Sequence, residues 1–489
     1  MTSNLWHRSQ AGKQACLVSI AILLLAGFCF SQPAISLSTT SGPPTTVLRV
    51  SGSGFAPYAK VDIYFGTGDK ALAIADGSGS FSQIAMQVPA SALPGTHWVS
   101  AVERSGQNHS QVRFEVRSDW DEFLREDMKR FNPYENVLNV NNAGSLDLKW
   151  SYATNGDLGE DSPAVANGVV YFSSIDDNVY ALDAHTGAKL WSYPTGASVQ
   201  SSPAVADGVV YVGSNDFSVY ALNAHTGARL WSYATGGEVY SSPAVVDGVL
   251  YVGSGDGKIY ALDAKTGADL WSYATGGAVD SSPAVANGVV YVGSDDDTVY
   301  ALNAQTGADL WSYATGSYVS SPPSVANGVV YIGSWDGNVY ALNAQTGAKL
   351  WSYLTQGLVD SSPAVANGVV YVGSGHNMYA LNASNGVPLW SYATNDYVWS
   401  SPAVANGAVY VGSFNYYLAT VAALDASTGA TLWSTGADSL WGSPAVVNGV
   451  VYVGSADDTF YAFSLKHDRQ VGGTAGVAQQ PKAYGDSYR

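Results

Sequence analysis

Eight side chains at equivalent positions of an internal repeat could converge on one binding site. Each stands just before an "SSP"-like triplet, and together they are acidic, polar or aromatic: Glu160, Gln200, Tyr240, Asp280, Ser320, Asp360, Trp399 and Trp441. Aromatic faces attract cations and stack on sugars, and carboxylates with loop carbonyls can hold Ca²⁺. We therefore interpret these positions as a candidate site for a cation, a sugar or a peptide.

A second set of variable residues follows one strand later in the same copies: Asp176, Asp216, Asp256, Asp296, Trp335, His376 and Phe414. The seventh copy has a longer loop, "FNYYLAT" (414–420), which adds Tyr416 and Tyr417. We expect this set to stand outside the first. The alternative interpretation is that loop tips are polar and variable without binding anything.

The sequence shows no recognisable catalytic constellation. There is no Ser–His–Asp order, no Cys–His pair and no phosphate-binding loop, and the 53 glycines suit turns. The acidic turn "DDDT" (295–298) lacks full metal-ligand spacing. His185 and His225 fall in predicted turns, where solvated side chains are expected. The sequence thus predicts a non-catalytic protein with no metal site.

Residues 144–465 consist of copies with a period of about 40 residues, which is typical of four-stranded propeller blades. In the fourth copy the strands are A "SPAVA", B "VVYVGS", C "VYALNA" and D "LWSYAT". Asn287-Gly288 predicts a tight A–B turn, because a type I′ turn needs positive φ at both positions. Antiparallel strands place the start of strand A and the B–C loop at one end, so both candidate sets share that end.

The copy number predicts an eight-bladed ring. The A strands begin at 162, 202, 242, 282, 322, 362, 401 and 443. The D-strand tryptophans, which we interpret as structural wedges between blades, are Trp150, Trp191, Trp231, Trp271, Trp311, Trp351, Trp390 and Trp433. The strand around Trp150 has no A, B and C strands before it, and the last copy has no D strand. We therefore expect the Trp150 strand to complete the last blade and leave no open edge.

The wording "ALDAHTGAKLW" (181–191), "ALDAKTGADLW" (261–271) and "ALNAQTGAKLW" (341–351) resembles the tryptophan-docking repeat of the quinoprotein family. The resemblance implies an eight-bladed β-propeller with strand A innermost, so the first candidate set would ring one mouth of the central channel. That family includes alcohol and sugar dehydrogenases that bind pyrroloquinoline quinone. It also includes a non-enzymatic scaffold lipoprotein of outer-membrane β-barrel assembly.

Three features argue against a quinone enzyme. The cofactor carries three carboxylates and needs cations, but the propeller has few: Lys149, Lys189, Arg229, Lys258, Lys265 and Lys349. Most of them are predicted in C–D loops, at the opposite end from the candidate site. The adjacent-cysteine disulfide of many such enzymes would be absent, because Cys16 and Cys29 lie in a predicted leader. A catalytic site also needs different residues from different blades, whereas these blades are close copies of one another. No cofactor is predicted; a dehydrogenase using pyrroloquinoline quinone with Ca²⁺, and a barrel-assembly scaffold lipidated at Cys29, remain alternatives.

Four further segments complete the predicted organisation: a signal peptide (1–34), an immunoglobulin-like β-sandwich (35–117), a helical linker (118–143) and a disordered tail (466–489). The wording "SGSGFAPYAKVDIYF" resembles bacterial immunoglobulin-like modules. The linker prediction rests on helical spacing of apolar residues: Trp120, Phe123, Leu124, Met128 and Phe131. The overall class is all-β.

The net charge of −18 disfavours nucleic-acid and membrane-surface partners, because anions are repelled. The predicted leader indicates a secreted, periplasmic or cell-surface protein without a membrane span in its mature form. The sequence therefore predicts a secreted monomer whose propeller loop face binds a protein or a glycan.

Overall fold

The computed structural model describes residues 32–466 except 106–107, 122–129, 160, 395, 415–419 and 436–441. The predicted signal peptide up to residue 31, the predicted tail from 467, and four candidates (Glu160, Trp441, Tyr416 and Tyr417) lie outside the described residues. The described residues are all-β apart from one 3-10 helix, Ala143–Ser145. None of them forms a helix with the length and apolar character that a bilayer crossing needs.

The chain divides into two compact units. The first comprises residues up to Ser38, Arg49–Met86 and Trp98–Val112, with buried Val50, Ile63 and Val99 in its core. Strands in this part of the chain form a three-stranded sheet (β1-β3-β6) and a five-stranded sheet (β2-β8-β7-β4-β5). Their bounds are β1 Ala34–Leu37, β2 Ser41–Gly42, β3 Val47–Ser53, β4 Lys60–Phe65, β5 Gly68–Ile74, β6 Phe81–Gln87, β7 Gly95–Glu103 and β8 His109–Val116. The immunoglobulin-like type and the domain limits stay predictions.

The second unit contains the propeller. Two strands precede the blades, β9 Phe131–Asn132 and β10 Leu146–Ala153. Blades 1 to 3 are β11 Ala164–Ala166, β12 Val169–Ser173, β13 Asn178–Asp183, β14 Lys189–Pro194; β15 Ala204–Ala206, β16 Val209–Ser214, β17 Ser218–Asn223, β18 Arg229–Ala234; β19 Ala244–Val246, β20 Val249–Ser254, β21 Lys258–Asp263, β22 Asp269–Ala274. Blades 4 to 6 are β23 Ala284–Ala286, β24 Val289–Ser294, β25 Thr298–Asn303, β26 Asp309–Ala314; β27 Ser324–Ala326, β28 Val329–Gly333, β29 Asn338–Asn343, β30 Lys349–Leu354; β31 Ala364–Ala366, β32 Val369–Ser374, β33 Asn377–Asn382, β34 Pro388–Ala393. Blade 7 is β35 Ala403–Ala405, β36 Ala408–Ser413, β37 Thr420–Asp425 and β38 Thr431–Thr435, and blade 8 begins with β39 Ala445–Val447, β40 Val450–Gly454 and β41 Thr459–Leu465.

The predicted eight-bladed ring and its closure are confirmed. Strand β10 pairs antiparallel with β41, so Ser151 opposes Tyr461 and the blade 8 sheet reads β10-β41-β40-β39. Each A strand contacts the A strand of the next blade, and β39 contacts β11. The A strands therefore line the central channel. Asn287 (φ 52°) and Gly288 (φ 76°) adopt the two positive φ angles of the expected A–B turn.

Tryptophans join neighbouring blades through one repeated contact. Trp311 Nε1 donates to the carbonyl oxygen of Ala344 at 3.0 Å, and Tyr291 Oη donates to the same oxygen at 3.0 Å. The indole lies on Gly347, where an added Cβ would stand 2.7 Å from the ring. The same indole–carbonyl bond joins Trp150 to Ala184, Trp191 to Ala224, Trp231 to Ala264, Trp271 to Ala304, Trp351 to Ala383 and Trp390 to Ala426. Trp433 instead meets the ring of Phe463 edge-on, 5.2 Å between centroids.

The helix expected over the linker conflicts with its described ends. Trp120 makes an antiparallel bridge to Val165 of blade 1, and Phe131–Asn132 pair in parallel with β35 of blade 7. Residues 122–129 lie outside the described residues. The apolar spacing predicts one face of a helix, but Trp120 is fully buried because it packs against residues of the propeller. Contacts this distant in sequence leave no local periodic signal.

Candidate ligand-binding cup

A cavity of about 350 Å³ lies where the A strands begin. We call it the cup. The described residues that line it are Gly159, Asp161, Gln200, Ser202, Tyr240, Ser242, Asp280, Ser282, Ser320, Pro322, Asp360, Trp399, Ser401 and Ser443. Six of the eight predicted positions are therefore brought together, and the other two lie outside the described residues. The lining described contains no lysine, arginine or histidine.

The serines of the repeated triplet connect the blades around the cup. The backbone N–H of one serine donates to the hydroxyl of its counterpart in the next blade at 2.9–3.0 Å, from Ser162 to Ser202 to Ser242 to Ser282, and from Ser362 to Ser401 to Ser443. These two chains of bonds, the serine belt, hold the cup wall in register. Sequence reasoning missed this role because the serines do not vary.

Blade 5 interrupts the serine belt. Pro322 stands where the other blades have serine, so it has neither an N–H to donate nor a hydroxyl to accept. The hydroxyl of Ser362 in the next blade is fully buried and has no hydrogen-bond partner in the described structure. Ser162, where the belt begins in blade 1, also has a buried hydroxyl without a described partner.

Carboxylates crowd the wall of the cup in blades 3 to 6. Burial, followed by repulsion from Asp295 and other acids, raises the pKa of Asp280 to about 6. Burial also raises the pKa of Asp360, although Trp335 Nε1 donates to its Oδ1 at 2.8 Å. Tyr240 Oη donates to Glu238 Oε2 at 2.7 Å. Because the pKa values of Asp280 and Asp360 are raised, a cationic ligand would stabilise the charged forms of these two carboxyl groups.

Aromatic rings form a row beside the cup in blades 6 and 7. Trp399, which lines the cup, stacks on Tyr397 with 5.4 Å between centroids, and Tyr397 contacts His376 at 4.2 Å. Phe414 also stacks on Trp399, with 5.8 Å between centroids. Backbone bonds between Tyr397 and Phe414 at 2.8 and 2.9 Å fix the row. Of the second predicted set, Trp335, His376 and Phe414 therefore stand next to the cup.

The four aspartates of that second set do not line the cup. Each accepts a hydrogen bond from the tyrosine four residues later, as Asp296 does from Tyr300 at 2.7 Å. Asp296 also accepts from the backbone N–H of Gly276 at 2.6 Å. Asp176, Asp216 and Asp256 make the same tyrosine bond at 2.5–2.7 Å. These four carboxylates therefore stand outside the cup lining, where their oxygens hold the B–C turn to strand C, and a binding role for them stays a prediction.

Sequence reasoning missed Asp161, which lines the cup in blade 1. It replaces the first serine of the triplet, and burial raises its pKa to about 7 despite a hydrogen bond from Ser173. The signal was present, since "EDSP" departs from "SSP".

Described residues preceding β10 lie against the inner strands behind the cup. We call residues 118–121 and 130–135 the plug segment. Its β9 pairs with the inner edge of β35, and the backbone of Asp121 accepts from Val205 N of blade 2. Arg130 is fully buried and donates to the carbonyl oxygens of Ser401, Pro402 and Pro444 at 2.9–3.1 Å. Burial lowers the pKa of Arg130 to about 9, which leaves it charged at neutral pH.

The raised carboxyl pKa values predict how stability depends on pH. Asp161 and Asp280 bind protons more tightly when folded, so the stability they contribute is complete below about pH 4 and is lost as pH rises through 6 to 7. We expect Asp161→Asn to flatten the decline of Tm between pH 5 and 8, by about 1–2 °C. Thermal unfolding followed by circular dichroism measures it.

The matched control is Asp263→Asn, because other blades carry asparagine at that position. Its hydrogen bond from Thr266 lowers the pKa of Asp263, so its contribution is lost only as the pH falls below 4. Above pH 5 the control should therefore leave the shape of the Tm curve unchanged, whereas Asp161→Asn should flatten it. Parallel curves for wild type and Asp161→Asn would contradict the assignment.

The sequence pattern of the family described as "Outer membrane protein assembly factor BamB" matches residues 96–280 and 274–471. The chain belongs to this family. As a BamB-family chain it has the fold of the BamB from Moraxella catarrhalis, with a TM-score of 0.57 and 20% identity over 65% of this chain and 99% of that one. It also has the fold of a europium-containing methanol dehydrogenase, with a TM-score of 0.61 and 16% identity over 71% of this chain and 98% of that one.

Local similarity reaches enzymes as well. This BamB-family chain is 38% identical over 66 residues to the dehydrogenase subunit of the quinone alcohol dehydrogenase of Gluconobacter oxydans, 13% of this chain. The chain covers between 9% and 11% of the length of the curated relatives it matches. The likeness therefore concerns one or two blades of the repeat and not a whole enzyme.

Proposed function

We propose that the chain is an exported, non-catalytic binding protein whose cup binds a cationic ligand, or a cationic group of a protein or glycan partner. The observation that carries this proposal is the lining of the cup. Its described residues combine three aspartates, several serines, a tyrosine and a tryptophan, and none of these lining residues is cationic.

The chemistry of the lining favours a donor of hydrogen bonds. Carboxylates accept only, and an ammonium group donates only, so the two are complementary. Trp399 and Tyr240 present aromatic groups that attract cations. The acids repel one another while the cup is without a cation, which supports a positively charged ligand over a neutral one.

A dehydrogenase using pyrroloquinoline quinone is the second candidate, favoured by the local similarity to alcohol dehydrogenases. The described lining does not fit that cofactor, because its three carboxylates would face Asp161, Asp280 and Asp360. The cation behind the cup, Arg130, is fully buried and donates to backbone carbonyls. Titration with the quinone and Ca²⁺, followed by absorbance, tests this candidate.

A barrel-assembly scaffold is the third candidate, favoured by the description of the family. It predicts a lipid on Cys29, a residue that lies outside the described part of the chain. Mass spectrometry of the mature protein tests for that lipid. Export itself rests on the leader predicted for residues 1–34, and a monomer is expected.

Binding of simple ions tests the leading proposal. We expect 1,5-diaminopentane to bind at low ionic strength, and glutarate, a dianion of the same length, not to bind. Asp280→Asn combined with Asp360→Asn should weaken diamine binding by about tenfold or more, because two carboxylates are lost. Calorimetry measures both.

The control is again Asp263→Asn, which removes a carboxylate distant from the cup lining. It should leave the affinity within about twofold of wild type, since exposed charges are screened. Absence of diamine binding, or equal binding of glutarate, would rule out a cation-binding cup.

A further inference from the structure

Blade 1 departs from the repeat at two positions that contact each other. Asp161 replaces a serine present in six other blades, and Ser173 replaces a glycine present in the other seven. Ser173 Oγ lies 3.0 Å from Asp161 Oδ2 and 2.9 Å from the carbonyl oxygen of Ser201. Two matched departures at contact distance indicate that this wall of the cup is specialised.

The replaced serine has a structural task elsewhere. In blade 2 the hydroxyl of Ser201 accepts from the backbone N–H of Gly213 at 3.0 Å, and five other blades make the same bond at 2.9–3.2 Å. Asp161 instead lines the cup. The substitution therefore exchanges an internal bond of the blade for a carboxylate at the cavity.

The surroundings of Asp161 leave room and hydrogen-bonding capacity. The buried hydroxyl of Ser162, the next residue, has no partner in the described structure. A second cavity of about 10 Å³, lined by Asp161, Ser173, Phe172 and Gly454 among others, adjoins this point. That is about the space of one water-sized group.

We propose that Asp161 anchors a primary ammonium group, which enters the cup end-on as the terminus of an alkyl chain. This inference rests on the proposed function and names the chemical class of its ligand. An ammonium group offers three N–H donors. Asp161 Oδ1 and the serine oxygens of the lining are acceptors of matching kind.

The described residues of the plug segment lie along the inner strands of blades 1 and 7. Its strand β9 adds to the inner edge of β35, and Trp120 bridges to β11 on blade 1. Arg130 connects the plug segment to Ser401 and Pro444, at the level of the lining. These contacts favour a ligand that presents one end to the cup over a polymer that passes through the channel.

A metal ion is the rival occupant of an acidic wall. Within the described residues no three His, Cys, Asp or Glu side chains are grouped to hold one. Ca²⁺ takes six to eight oxygen ligands, usually with several carboxylates among them, and Asp161 is not grouped with two further acids among the described residues. The ammonium group fits better, and Ca²⁺ becomes a competitor in the test.

The test replaces the two departing residues of blade 1 by the residues that most other blades carry. Asp161→Ser combined with Ser173→Gly recreates the sequence of six other blades, so the fold should be retained and Tm should not fall. We expect this variant to lose affinity for 1,5-diaminopentane by about tenfold or more. The monoacetylated diamine should bind wild type within about threefold of the diamine, and the diacetylated form should not bind.

The outcomes separate the two proposals. If the diamine does not bind wild type, the cation-binding cup itself fails. If Asp280→Asn with Asp360→Asn weakens binding but the restored blade 1 does not, the cup stands and the anchor assignment is wrong. End-on ammonium binding would be overturned if the monoacetylated diamine lost as much affinity as the diacetylated form. Displacement of the diamine by equimolar Ca²⁺ would overturn it as well.

Discussion

Replacing Trp311 by alanine is expected to lower the free energy of unfolding by roughly 3–5 kcal/mol, the usual cost of truncating a large buried aromatic residue. The indole is buried, bonds the carbonyl oxygen of Ala344 and covers Gly347 of the next blade. Its loss removes one whole contact between blades 4 and 5. Denaturant unfolding followed by tryptophan fluorescence and circular dichroism measures the change.

The matched control for this substitution is the preceding residue. Leu310 is 51% exposed in the same strand, so Leu310→Ala should change the free energy of unfolding by about 0.5 kcal/mol or less. Equal losses for the two variants would mean that the tryptophans do not hold the blades together. A loss below 1 kcal/mol for Trp311→Ala would mean the same.

Replacing Arg130 by alanine is expected to be of similar size, roughly 3–5 kcal/mol. Three carbonyl oxygens, those of Ser401, Pro402 and Pro444, would lose a buried donor, and each such loss costs about 1–3 kcal/mol before the structure relaxes. The plug segment should also loosen. We expect faster hydrogen exchange at Val404, whose amide donates to the carbonyl oxygen of Arg130.

Two further variants separate the causes. Arg130→Met keeps most of the volume but removes the donors, so it should recover only part of the loss. Arg229→Ala removes an exposed arginine on the outer strand of blade 2 and should cost about 0.5 kcal/mol or less. If Arg130→Met is as stable as wild type, the carbonyl bonds carry no net stability.

The architecture was predictable because it is repeated. Eight copies of one hydrophobic pattern identify the strands of every blade, and the unpaired strand around Trp150 had a single place left to go, beside β41. The six described candidates at the start of the A strands meet for the same reason, since one equivalent position recurs around a ring.

What the repeat does not encode could not be read from it. Strand β9 of the plug segment pairs with β35 of blade 7, and the neighbouring Arg130 bonds Ser401 at a separation of 271 residues. No local sequence pattern indicates such a distant contact. The spacing of the apolar residues in the plug segment therefore favours a helix when only the sequence is considered. Asp161 and Pro322 were visible as departures, but only coordinates show that one faces the cup and the other breaks the serine belt.

Pairing β10 with β41 has a consequence for how the molecule is made. The strand that completes the last blade is synthesised before all eight sets of inner strands. The hydroxyl of Thr154 donates to the carbonyl oxygen of Asp458, which is synthesised 304 residues later. Until the ribosome has passed that point, the strand of Trp150 has no partner strand and the ring has an open side. A chain that stops one blade short would display two unpaired edges at once, which marks incomplete copies for proteases or for association with each other.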